Sequence, residues 1–481
     1  MMPKFILGGL IASIVIGNSY AYATASEALK INTSQIANSS TLELNDLGYS
    51  SYISSSSYPK LNLNDGFGQL IGSNKLAEYN EPQLYNYYKG RICHGVYWFN
   101  CRYNISNLKK NTGIEVSDIY SLISQRFETV SGYQVNYTTI SMNGGGPHSV
   151  TGAILVPNSN MPLKGVVIYY HGSSLGKTNV PSNFVGDENE LSRLAASTLA
   201  TDGYIVLMPD YIGLGGDKNS VFPSLVYPSA NALSGVYMLK LLPQVVPALR
   251  FKLQNRHVRL MIAGYADGAE YALWSAKILQ DNKWFLERYG FSAKKVVAMS
   301  GPYNLSRIML PYLYENVDEA RSSPYYVANL KTSAFTKPAI LISMLKAYSQ
   351  YGFNSNESKD YSHTASSISS LANVTLSNDK QFLEALQKAD IYNWQATIPI
   401  SFISLEYDSV IPRINSEVAY LAMTKQKSSQ LEITQIPNQD FKSDGHSIFA
   451  DEAIDHASAE NYMILFARKE FDANLANTNS N

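Results

Sequence analysis

The 481-residue chain has only two cysteines, Cys93 and Cys101, with one histidine, His94, beside them. That falls short of the four ligands a structural zinc site takes, so the spacing excludes a zinc module. It predicts a structural disulfide instead, since two nearby cysteines in an oxidising compartment pair. Charge of one sign is also missing. The 38 Lys and Arg balance 39 Asp and Glu to a formal net charge of -1, with no basic run. No field therefore favours nucleic acid or an anionic membrane surface. Beyond the N-terminus no apolar stretch is long enough to cross a bilayer, so no stable membrane span is expected. There is no internal repeat.

Hydrophobic residues make up 45% and charged residues 16%, a mix that fits a globular protein with a sizeable core. Tyrosine occurs 35 times alongside many Ser and Asn, which suits an uncharged polar, extracytoplasmic surface. At the start, Lys4 precedes an apolar run from Phe5 to Gly17, followed by Ala21-Tyr22-Ala23. This pattern reads as a secretory signal peptide over residues 1–23 with cleavage after Ala23. The apolar run is too short for an uncleaved anchor, and no cysteine follows the cleavage point to carry a lipid. A secreted or periplasmic protein is expected.

Residues 24–80, with Ser54 to Ser57, read as a poorly ordered Ser/Asn-rich linker. Residues 81–130, aromatic-rich and holding both cysteines, read as an N-terminal extension packed on the main domain. A core is predicted over 131–300 and 396–475, with 301–395 inserted as a partly helical cap or lid. Within the core, Val135–Ile140 and Thr151–Val156 read as an antiparallel pair around Asn143 to Gly146. Gly165–Tyr170, Tyr204–Met208, Val258–Ala263, Lys295–Met299, Ile400–Leu405 and Leu431–Ile436 read as further strands. Helices are predicted over Asn189–Ala200, Ala230–Leu241 and Ala269–Leu279, and helical patches over Ala339–Tyr348 and Lys380–Lys388. Strands alternating with helices at this spacing demand a mostly parallel sheet covered by helices on both faces, an α/β fold.

The turn after the Val258 strand runs Gly264-Tyr265-Ala266-Asp267-Gly268. A strand entering a helix through Gly-x-Nu-x-Gly is a nucleophile elbow: the central residue is held strained so that its side chain projects above the sheet. Strand and helix pass close together there, so Gly264 and Gly268 must be small. The N–H of Asp267 would serve as an oxyanion donor.

Other motifs follow in order. These are Tyr170-His171-Gly172-Ser173-Ser174, an HG-type oxyanion loop; Pro209-Asp210-Tyr211-Ile212-Gly213-Leu214-Gly215; Tyr407-Asp408-Ser409-Val410-Ile411-Pro412; and Asp444-Gly445-His446. With the elbow they make the chain, from about Gly132 to its end, resemble the α/β-hydrolase superfamily, in particular its secreted lipase/esterase branch. The resemblance implies a nucleophile at 266, Asp408 as the acid, His446 as the general base, and backbone N–H groups of Gly172, Ser173 and Asp267 as the oxyanion hole. It implies a small acyl, ester or lipid substrate and neither metal nor organic cofactor. Esterase, lipase, peptidase and thioesterase activities share such a core. No partner protein is indicated.

The departure is Ala266, whose methyl group has no lone pair and closes the acyl-enzyme route. Two readings stay open: a serine hydrolase whose serine has been replaced, and a natural pseudo-hydrolase that binds a ligand or partner in the retained pocket. A purely adhesive surface protein fits the Tyr/Ser/Asn bias but not the ordered motifs. Asp267 as nucleophile would move both glycines off register. His171, Asp210 and Tyr211 are expected to brace turns, Glu270 and Glu406 to have no role, and His456 to be a surface residue of a helix.

Overall fold

The computed structural model describes residues 60–93, 98–112, 123, 127–141, 146–172, 178–185, 190–218, 227–247, 257–314, 340–341, 343–344, 347–348, 380–408, 410–441 and 455–479. The predicted signal peptide, Ser54 to Ser57, Ser173 and His446 lie outside them.

Nine strands form one sheet: β1 (Leu70–Asn80), β2 (Thr129–Ile140), β3 (Pro147–Asn158), β4 (Gly165–Tyr170), β5 (Tyr204–Pro209), β6 (Val258–Tyr265), β7 (Phe291–Met299), β8 (Ile400–Leu405) and β9 (Leu431–Ile436). The spatial order is β1-β2-β3-β5-β4-β6-β7-β8-β9. The first three junctions are antiparallel and the rest parallel. The predicted α/β class and the opening antiparallel pair are both present.

The central strands β4 and β5 read as unbroken apolar runs because both of their faces are covered. All six residues of β4 are buried. Side chains alternate along the strand: Val167 and Tyr169 enter one core, Val166, Ile168 and Tyr170 the other. The first core is closed by α1 (Glu81–Cys93), α2 (Trp98–Thr112), α3 (Glu190–Ala195, continued as a wider turn over Ala196–Ala200) and the final helix. The second is closed by α4 (Pro228–Met238), α5 (Asp267–Asp281) and α7 (Ile414–Lys425), with α6 (Lys380–Ala389) lying between β7 and β8 on the first side. The final helix, α8, spans His456–Asn479. Lys164 at the foot of β4 bonds Asp202 at 2.5 Å and Asp472 of α8 at 2.7 Å, tying that helix to the sheet.

One expectation changes. Residues 24–80 do not all form a linker: Leu70–Asn80 is an edge strand paired along its length with β2. Its face is largely solvent-exposed, so it lacks the apolar alternation that marks a half-buried strand, and backbone pairing defines it instead. The described part of 81–112 is the two helices α1 and α2, joined by the Cys93–Cys101 disulfide.

Where the sequence predicts a cap, the described parts are Leu305–Tyr314, helical residues between 340 and 348, and α6. Asp390, just after α6, accepts from the Ser306 N–H at 3.0 Å and its hydroxyl at 2.6 Å. The two ends of the inserted segment are thus fastened to each other. Among the described residues no helix is long and apolar enough to cross a membrane.

Candidate active site

β6 delivers Ala266 at the head of α5 with φ 51° and ψ -126°. Alanine rarely adopts such a backbone, and holding it there costs about 1–3 kcal/mol. Two contacts impose it. The Ala266 N–H donates to Met299 O of β7 at 3.0 Å, and the Ala266 carbonyl accepts from the Ala269 N–H at 2.9 Å. The flanking glycines are steric necessities: a Cβ on Gly264 would lie 2.0 Å from Gly268 O, and one on Gly268 would lie 2.1 Å from Tyr170 O. Strand, turn and helix therefore touch backbone to backbone, as the elbow reading requires.

β4 ends beside this turn. A Cβ on Gly172 would sit 3.3 Å from the Ala266 methyl. His171 is buried, its ring stacked 4.3 Å from Tyr211, and Nδ1 donates to the Gly172 carbonyl at 2.8 Å. Burial lowers its pKa to about 4. It is a neutral brace, as expected. Tyr211 returns a bond from its hydroxyl to His171 O at 2.7 Å. Asp210 accepts from the Ser182 N–H and from the hydroxyls of Ser182 and Thr151 at 2.9, 2.5 and 2.5 Å, fixing the turn after β5.

Asp408, the expected acid, is held from both sides. Asp408 follows β8 and is 3% exposed. Its Oδ1 accepts from the Val410 and Ile411 N–H groups, both at 2.9 Å. Asn438, beyond β9, clamps the adjacent Tyr407 backbone through its N–H and carbonyl at 2.9 and 2.8 Å. The other oxygen, Oδ2, meets Nδ1 of His456 at 2.7 Å.

His456 is therefore not a surface residue. It opens α8, its side chain is 11% exposed, and its ring lies 5.1 Å from that of Tyr265, the neighbour of Ala266. The Tyr265 hydroxyl also donates to the His456 carbonyl. Burial opposes charge on the imidazole, but Asp408, Asp267 and Asp455 outweigh it and raise its pKa above the usual value.

The sequence missed His456 because a histidine at a helix start looks like a solvated cap. The available signal was Asp455-His456-Ala457-Ser458 after the last strand. Asp455 and Ser458 exchange caps, with the Ser458 N–H on Asp455 Oδ1 at 2.9 Å and the Asp455 N–H on Ser458 Oγ at 3.1 Å, so they fix where that helix begins.

Of the expected oxyanion donors, Gly172 and Asp267 lie among the described residues, and Gly172 is beside Ala266. The Asp267 N–H heads α5, where the helix dipole favours negative charge. Among the described residues no group of His, Cys, Asp and Glu could hold a metal ion.

Among solved structures, the rice cell wall degrading esterase LipA from Xanthomonas oryzae superposes with a TM-score of 0.59 at 16% identity, covering 84% of this chain and 98% of that one. A proposed hydrolase from Legionella pneumophila superposes at 0.58 with 17% identity and the same coverages. The fold is that of the α/β-hydrolases. No protein-family model matches the chain, and no curated protein sequence does. Within this fold, Ala266 lies at the turn from β6 into α5, Asp408 follows β8, and His456 opens α8.

Proposed function

We propose that this chain is an exported protein of the carboxylic ester hydrolase lineage, with an acyl-transfer site complete but for its nucleophile. The observation that carries the reading is the backbone of Ala266, held at φ 51° and ψ -126° beside Gly172, while its neighbour Tyr265 lies against the His456 ring that Asp408 holds. A methyl group gains nothing from that conformation. A serine hydroxyl would be projected out of the turn by it.

With serine at 266, neutral His456 takes the hydroxyl proton through Nε2 as the oxygen attacks the ester carbonyl. Asp408 holds Nδ1 and steadies the imidazolium. The Asp267 N–H, and the Ser173 N–H that the sequence predicts, receive the oxyanion. His456 then protonates the leaving alcohol, and water, activated by the same ring, frees the acid. His456 is preferred to His446 as base because the oxygens of Asp408 already serve two backbone donors and the His456 ring. The segment between β7 and β8 would act as the cap over a small acyl, ester or lipid substrate.

As it stands, the chain lacks the attacking lone pair, and loss of the nucleophile lowers turnover by about six orders of magnitude. The alanine itself favours a second reading, a pseudo-hydrolase that binds a ligand in the retained pocket. Hydrolysis of a short-chain p-nitrophenyl ester by the chain and by Ala266→Ser separates the two. A rise of about four orders of magnitude or more supports the hydrolase site. Equal, buffer-level rates from two folded proteins favour the binding reading.

A further inference from the structure

Glu460 has no part in the acyl-transfer chemistry, yet it is a half-buried carboxylate one helical turn after His456, on the same face of α8. It accepts the Tyr169 hydroxyl at 2.7 Å. Tyr169 lies at the end of β4, three residues before Gly172 in the loop beside Ala266, so one side chain joins the strand that feeds the oxyanion loop to the helix that carries the proposed base. We propose that Glu460 is a positioning residue that sets the oxyanion loop and the His456 ring relative to each other. This inference rests on the hydrolase reading of the site.

The physical case is one of connectivity. The oxyanion loop comes off β4 and the base comes off α8, elements far apart in sequence. Among the described residues His456 itself is tied through the Tyr265 hydroxyl and the Asp408 carboxylate, and neither bond reaches β4. Without Glu460 the loop could shift against the base. A displacement of about 1 Å at such a site costs about 100-fold in rate.

Burial pushes the Glu460 carboxyl up, while the Tyr169 hydroxyl and the His456 ring act the other way. By reciprocity its anion supports the imidazolium. The other charged or titratable groups facing His456 are Asp408, Asp267, Asp455 and Tyr265.

Glu460→Gln keeps the size and can still accept from the Tyr169 hydroxyl, but it replaces a charged acceptor with a neutral one. In the Ala266→Ser background it is expected to lower kcat about 10- to 100-fold with KM changed less than about threefold. The imidazole of His456, followed by NMR titration in the chain bearing Ala266, should titrate at lower pH. Should Glu460→Gln not fold, Tyr169→Phe deletes one donor and leaves the carboxylate, and a several-fold loss confined to kcat supports the same role. Unchanged kcat together with an unchanged His456 titration overturns the proposal. If Ala266→Ser itself is inactive, the hydrolase reading fails, and the His456 titration alone decides the role of Glu460.

Discussion

Ala266 carries the strain of an elbow with none of its chemistry, and this has a consequence for stability. Glycine visits φ 51° freely, so Ala266→Gly should relieve about 1–3 kcal/mol of strain. The larger entropy of the unfolded glycine chain offsets about 0.5–1 kcal/mol of that. The expected outcome is a midpoint in urea that is equal or higher, whereas Ala→Gly in an ordinary helix lowers it. Gly268→Ala should do the reverse and unfold the domain or cost several kcal/mol, because the added Cβ meets the carbonyl of Tyr170 at 2.1 Å and backbone cannot yield cheaply. The imidazole of His456 must be neutral to accept a proton, and its pKa is raised. The kcat/KM of Ala266→Ser should therefore climb with pH along a limb whose midpoint lies above the usual histidine value, measured as a pH–rate profile. A limb at or below that value would contradict the pairing with Asp408.

Among the elements, α8 matters most because its first residue is the proposed base. Asp455 caps it. Asp455→Ala should cost about 1 kcal/mol and fray the turn that holds His456. In the Ala266→Ser background, kcat should fall by more than that stability loss explains, as seen by comparing ester hydrolysis with thermal unfolding. The strands β4, β8 and β9 were legible to the residue: β4 and β8 are uncharged stretches buried at all six positions, and β9, at the sheet edge, shows Leu431 and Ile433 alternating with exposed Glu432 and Thr434. β1 was not, because an exposed edge strand is defined by pairing with β2 and leaves little pattern in its own side chains. The glycine-flanked turn at Ala266 and the burial of His171 were legible from local spacing. His456 and Glu460 were not, because their roles arise from a helix docking against distant strands, which no short window records.

Across the whole molecule, two buried carboxyls away from the triad link stability to pH. Burial raises Asp390 to about 7 and Asp210 to about 6, against an ordinary 3.8. The folded protein thus keeps protons that the unfolded chain releases between those values, so these two groups make stability fall as pH rises through that window. Asp390→Asn retains an acceptor for Ser306 and should flatten the dependence, read as a smaller loss of urea midpoint between about pH 5 and about pH 8. A steeper loss would contradict a protonated Asp390. Because Asp390 and Ser306 fasten the ends of the segment inserted between β7 and β8, the same substitution reports on how firmly the expected cap is anchored.

The account stands on position 266, Asp408 and His456 acting as one unit. Its most direct test is ester hydrolysis by Ala266→Ser compared with the same protein carrying His456→Gln or His446→Gln. The account predicts that Ala266→Ser is active, that adding His456→Gln removes about three or more orders of magnitude in kcat, and that adding His446→Gln leaves the rate within a few-fold. Activity that survives the loss of His456 and vanishes with the loss of His446 would contradict it.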